Sequence, residues 1–173
     1  MPDTELFLSL AEIAGVFVGF GALIAVRSGG TGEPHEVAPM RLVVGLGMLT
    51  VIAALAPVTL GRYDLGDHEV LALSSILVAI VFGVLLFVHF RSPEYRAARA
   101  IVMPTHPALQ TALENVAWLL IIGGSAMAVV AIVLGVAPEL EAALYFTVVV
   151  LLLVIAAWTL LWLVFRQRRP ATE

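Results

Sequence analysis

Residues Leu6–Val26 read LFLSLAEIAGVFVGFGALIAV. The stretch is long enough to cross a bilayer, which takes ~20 predominantly apolar residues. One ionisable group, Glu12, lies well inside it, together with Gly15, Gly19 and Gly21. Small residues let membrane helices approach closely. An acid within a span is costly unless it faces protein or water. This acid beside glycines is the point from which the rest of the chain is read.

On a helical wheel at 100° per residue, Glu5, Leu8, Ser9, Gly15, Val16, Gly19, Leu23 and Val26 fall within about 60° of Glu12. One face therefore carries both acids, a hydroxyl and two glycines. Glu12 lies ~10 Å along the axis from Glu5, seven residues of helical rise. Leu23 and Val26 continue the same face as an apolar constriction.

The composition agrees with a membrane protein. The chain has 173 residues, of which 61% are hydrophobic and 13% charged, and its mean hydropathy is +1.05. Soluble domains average ~45–50% apolar and ~25% charged residues. There is no cysteine, which excludes disulfides, thiolate metal sites, iron–sulfur clusters and cysteine nucleophiles. There is also no lysine, so arginine supplies all the basic side chains, a bias that fits a GC-rich bacterial genome. The N-terminus lacks a basic n-region and an A-x-A cleavage site, so the first helix is expected to be retained.

Five apolar runs, at about residues 5–26, 40–60, 70–90, 108–136 and 142–165, make the expected fold all-α. This is a single polytopic transmembrane domain, residues 1–173, with five spanning helices. Eight arginines, Arg27, Arg41, Arg91, Arg96, Arg99, Arg166, Arg168 and Arg169, fall on one side of this arrangement, and only Arg62 on the other. The positive-inside rule then puts the N-terminus outside and the C-terminus in the cytoplasm. The expected location is the bacterial inner membrane. The outer side is acidic: Asp3, Glu5, Asp64, Asp67, Glu69, Glu139 and Glu141.

The segments between and within the runs have their own signals. Loop one, SGGTGEPHEVAP, reads as flexible and solvated; its Glu33, His35 and Glu36 lack anything to orient them on a metal. Pro57 removes the backbone hydrogen bond that Ala53 would otherwise accept, and is expected to bend the second helix. The small residues of that helix, Gly45 and Gly47 among them, suit close packing against the first. Ser74 and Ser75 can bond their own helix. Residues 94–103 read as a short amphipathic segment, and Arg91 just ahead of it meets anionic lipid headgroups together with Arg96 and Arg99 within it. Ala117, Gly124, Ala128, Ala131 and Gly135 form a small-residue stripe on the fourth helix. The fifth helix has almost no polar group and reads as peripheral and lipid-facing.

A carboxylate at the depth of Glu12 must meet a neighbouring helix, another copy of the chain, or water. Too few buried polar groups exist for one copy to enclose a hydrated path. The first reading is therefore a homo-oligomeric cation channel lined by the first helix. Glu12, Glu5, Ser9, Gly15 and Gly19 form the polar or ion-binding surface, Leu23 and Val26 gate by dewetting, and the ion is a monovalent or divalent cation. The second is a non-conducting interaction or sensor subunit in which Glu12 fixes helix packing, and the third a proton-coupled transporter. Enzymatic, metal-site, cofactor and nucleic-acid motifs are absent, and the four histidines, His35, His68, His89 and His106, form no ligand pair at helical spacing. The expected partners are membrane lipids and further copies of the chain.

Overall fold

The structure, a computed structural model, describes the backbone of residues 4–27, 34–93, 95–96 and 108–166, and side chains over 4–23, 41–93, 95–96, 116, 119 and 121–161. Among the described residues it is all-helical. The elements are α1 (Thr4–Arg27), α2 (Pro34–Leu60), α3 (Asp67–Arg91), α4 (Ala108–Val133), a 3-10 turn (Pro138–Leu140) and α5 (Glu141–Arg166). Four stretches are long and apolar enough to cross a membrane, Thr4–Leu23, Arg41–Leu60, Asp67–Arg91 and Pro138–Leu161, and α4 contributes a shorter apolar stretch, Ile121–Val133.

The helix ends follow local chemistry. α2 begins at Pro34, ahead of the apolar run starting near Met40, so part of the segment read as flexible loop is helical. Proline suits a first helical position because the N–H it lacks is unpaired there anyway. α3 opens with Gly66 at its N-cap, whose N–H donates to the Glu69 carboxylate at 3.1 Å. It ends at Arg91 because Ser92 precedes Pro93, and proline drives the preceding residue out of helical geometry. α4 ends at Val133 rather than near Val136. Gly135 adopts φ +62°, its N–H donates to Ile132 O at 3.1 Å, and Val136 N–H reaches back to Ala131 O at 3.1 Å. That is a Schellman termination, which places Gly135 in the left-handed region that glycine enters freely. Gly135 is thus a cap and not part of a packing stripe. Gly124 of the same stripe faces open space, with nothing within 4 Å of where a Cβ would stand.

Successive helices run antiparallel. The starts of α1, α3 and α5 and the ends of α2 and α4 lie at one end, which gathers Arg62, Asp64, Asp67, Glu69, Glu139 and Glu141. α2 is central and touches α1, α3 and α5. Its pairing with α1 is the most intimate. A Cβ on Gly47 would stand 2.7 Å from Val18 Cγ2 and 3.6 Å from Ala14 O, and one on Gly21 would stand 2.9 Å from Val44 Cγ2. Glycine here permits backbone approach that no larger residue allows.

The fifth helix is not peripheral. Tyr145, Val148, Val149, Leu152, Ile155 and Ala156 of α5 are buried in the core with Leu46, Leu49, Ala53 and Ala54 of α2. A helix apolar on all sides has no polar face to show which way it points, so its sequence is equally compatible with lipid and with a protein core. Phe7 of α1 closes the contact, its ring 5.9 Å from that of Tyr145 and 6.2 Å from that of Phe146.

Tyr145 also resolves the defect that Pro57 creates. Without an N–H at Pro57, the Ala53 carbonyl has no partner one turn on. The Tyr145 hydroxyl donates to Ala53 O at 2.7 Å from across the bundle. Buried carbonyls are rarely left unpaired, and α5 is held in register against α2 by this bond.

Candidate functional site

α1 divides into two opposed faces. Phe7, Leu10, Ala14 and Gly21 are buried against α2 and α5. These residues lie about 140–180° from Glu12 on the wheel. The Glu12 face points away from the rest of the bundle. Glu5, Ser9, Glu12, Gly15 and Gly19 are all exposed, as are Leu8, Val16 and Leu23. Leu23 is 67% exposed. The side chain of Val26, the second residue of the expected gate, lies outside the described residues.

Nothing lies within 4 Å of a Cβ built on either Gly15 or Gly19, so these glycines are not explained by packing inside the subunit. Gly21, grouped with them by proximity in sequence, belongs to the inner face instead. Among the described residues no hydrogen bond or ion pair reaches Glu12. The structure thus presents two carboxylates, one hydroxyl and two bare glycine backbones on an apolar helix surface.

At the opposite end of α3 lies an aromatic and basic cluster. The Arg91 guanidinium sits 4.7 Å above the Phe87 ring, an arrangement stabilised by the ring quadrupole. Arg96 Nη2 donates to Arg91 O at 3.0 Å. Tyr95 stacks against His89 and Phe90 with centroids 4.7 and 5.2 Å away. Arg91 and Arg96 are exposed. Arg99 and most of residues 94–103 lie outside the described residues, as do Glu33, His106, Arg168 and Arg169. For His35, Glu36, Arg27 and Arg166 the backbone alone is described.

Two further polar features lie within the bundle; the sequence did not indicate the first, and it read the serines of the second as bonding their own helix. The first is a pair. His68 Nδ1 lies 2.9 Å from Glu141 Oε1 and 3.0 Å from Oε2, with the Glu141 side chain 4% exposed and that of His68 49% exposed. Gly135 underlies them, its would-be Cβ 3.4 Å from His68 Cε1 and 3.9 Å from Glu141 Oε1. The second is a hydroxyl layer. Ser74 and Ser75 are buried, and neither Oγ has a hydrogen-bond partner among the described residues. They do not bond back to their own helix. The Ser74 hydroxyl lies beside that of Tyr145, without the geometry of a hydrogen bond. Thr50, by contrast, donates to Leu46 O at 2.8 Å.

A cavity of about 190 Å³ opens at the acidic end between α1, α2 and α3, with Phe7, Pro57 and Val70 among its lining and Arg62 and Asp67 at its polar side. It does not include Glu12 or its neighbours on the outer face of α1. Among known proteins, no family model, no curated sequence and no solved structure matches this chain.

Proposed function

We propose that the chain is the subunit of a small homo-oligomeric membrane channel for cations, with the Glu12 face of α1 turned toward the symmetry axis. The carrying observation is the outward exposure of Glu12 on a helix of membrane-spanning length. A carboxylate at bilayer depth that does not face its own subunit needs water or another protein beside it. A ring of α1 helices supplies both. Gly15 and Gly19 let the helices approach, Ser9 and Glu12 offer oxygen ligands, and Glu5 lies a further ~10 Å toward the mouth. Leu23 and Val26 then form an apolar ring that gates by dewetting.

In this reading all five helices cross a bacterial inner membrane. The acidic end faces outward and the end bearing Arg41, Arg91 and Arg96 faces the cytoplasm, in keeping with the positive-inside rule. The acidic end attracts cations toward the mouth. Arg91 and Arg96 contact anionic lipid headgroups, and the Phe87, Phe90 and Tyr95 rings lie at the same level as interfacial anchors.

The test is cation flux through proteoliposomes with Glu12→Gln. The expected result is a clear loss of cation permeability and of cation-over-anion selectivity. Unchanged conductance and selectivity would remove Glu12 from any conducting path.

A non-conducting interaction or sensor subunit is the second reading. It is favoured by the aromatic and arginine cluster at the end of α3, a ready docking surface for lipid or for an acidic partner. Purification in mild detergent separates the two. A symmetric oligomer supports the channel, and a lone monomer supports the interaction subunit.

A further inference from the structure

We propose that His68 and Glu141 form a proton-binding site at the acidic end of each subunit, in which acid clamps the start of α3 onto the start of α5. The pair is remote from the outward face of α1, and the inference does not rest on the channel reading. Glu141 is the buried member, with both carboxylate oxygens within hydrogen-bond reach of His68 Nδ1. A buried carboxylate demands a partner, because the cost of taking the charge out of water is recovered only through good contacts. The half-exposed ring supplies that partner, and leaves its other nitrogen, Nε2, as the atom at which a proton exchanges with solvent.

The proton balance is simple. In the deprotonated state the neutral imidazole carries its hydrogen on Nδ1, donates it to Glu141, and the pair bears one net negative charge. A proton taken from water adds at Nε2, no other bond changes, and the pair becomes a neutral imidazolium–carboxylate pair. Acid therefore converts a buried charge held by one neutral donor into a compensated ion pair. That pair spans α3 and the first residue of α5, directly over the Gly135 turn. The charged groups around the pair come from several elements. Asp67 and Glu69 flank His68 on α3, Glu139 lies on the 3-10 turn, and Asp64 and Arg62 lie in the α2–α3 turn; Glu5 stands on the outward face of α1, and residues 121–137 of α4 and its turn carry none.

The pair lies directly above the buried core. One helical turn below Glu141 comes the Tyr145 hydroxyl, committed to Ala53 O. Beneath it the core is closed by Val78, Val149 and Leu152, all at most 5% exposed.

The experiment is nitrogen-15 NMR of histidine-labelled full-length protein in lipid bilayers across a pH series, with the His68 signal assigned by its loss in His68→Gln. The expected result is a neutral His68 with its hydrogen on Nδ1. In Glu141→Gln that tautomer preference disappears and the titration of the His68 signal changes, while Glu12→Gln leaves both unchanged. A neutral wild-type ring with its hydrogen on Nε2, or an identical titration in Glu141→Gln, overturns the proposal. Should Glu141→Gln not fold, the wild-type tautomer alone decides.

Discussion

The bond from Tyr145 to Ala53 invites a double-mutant cycle with Pro57. Tyr145→Phe removes a buried donor and leaves the carbonyl at Ala53, already deprived of its helical partner by Pro57, with no hydrogen bond. An unpaired buried acceptor costs about 1–3 kcal/mol. The ring itself remains, so its contact with Phe7 at 5.9 Å is kept and no cavity forms. Pro57→Ala restores an N–H at position 57, which can donate to Ala53 O within α2. In that background Tyr145→Phe removes a bond the carbonyl no longer depends on, and its cost should fall to about 0.5–1 kcal/mol, the net value of an ordinary hydrogen bond. The two substitutions are therefore coupled by about 1 kcal/mol or more, as expected for residues sharing one acceptor. SDS-induced unfolding in mixed micelles, followed by far-UV circular dichroism, measures all four corners of the cycle. Strict additivity, or an equal cost of Tyr145→Phe in both backgrounds, would show that the bond does not compensate for the proline.

Other substitutions probe the two faces of α1 and the cap of α4. Gly47→Leu forces a side chain into the α1–α2 contact, where a Cβ already meets Val18 Cγ2 at 2.7 Å; overpacking should cost about 3 kcal/mol in unfolding experiments. Gly19→Leu meets nothing within 4 Å, so subunit stability should stay within about 0.5 kcal/mol, while native mass spectrometry should show the oligomer weakened roughly tenfold or more, about 1.4 kcal/mol. If Gly19→Leu leaves assembly intact, the α1 face is not the contact between copies. Gly135→Ala places a Cβ at φ +62° and 3.4 Å from His68 Cε1, and thermal denaturation should register a loss of about 1–2 kcal/mol from the left-handed conformation. Restoration of wild-type stability in Gly135→Asn, a residue more tolerant of that region, would assign the loss to backbone strain.

Much of the architecture was legible because long apolar helices announce themselves by composition. A run near 20 apolar residues has few alternatives in a bilayer. The two-sidedness of α1 was legible for a related reason. Glu5, Ser9, Glu12, Gly15 and Gly19 share a face through the 100° step of the helix alone, and the structure exposes every one of them. The burial of α5 was not legible, since a surface without polar residues carries no orientation signal. Nor was the role of Gly21, which proximity in sequence grouped with Gly15 and Gly19 but which lies on the opposite side. One signal lay within reach. Pro57 orphans a carbonyl at Ala53, and a buried orphan requires a donor; the question was only which of the few polar side chains in the apolar runs would supply it.

The chain by itself determined that there would be long apolar helices, where they begin and end to within a turn in most cases, and which residues lie together on the face of the first one. These are local consequences of hydrophobic length, helical period and the special backbone of proline and glycine. Tertiary structure alone decided which of those faces turn inward. It put Glu12 on the outside of the subunit, sank α5 into the core, and brought Tyr145 to Ala53 across 92 residues and His68 to Glu141 across 73. The physical reason is that close packing between helices is settled by which pairs of surfaces fit at backbone distance. Gly47 against Val18 and Tyr145 against the carbonyl freed by Pro57 are such fits, and no single helix contains the information to make them.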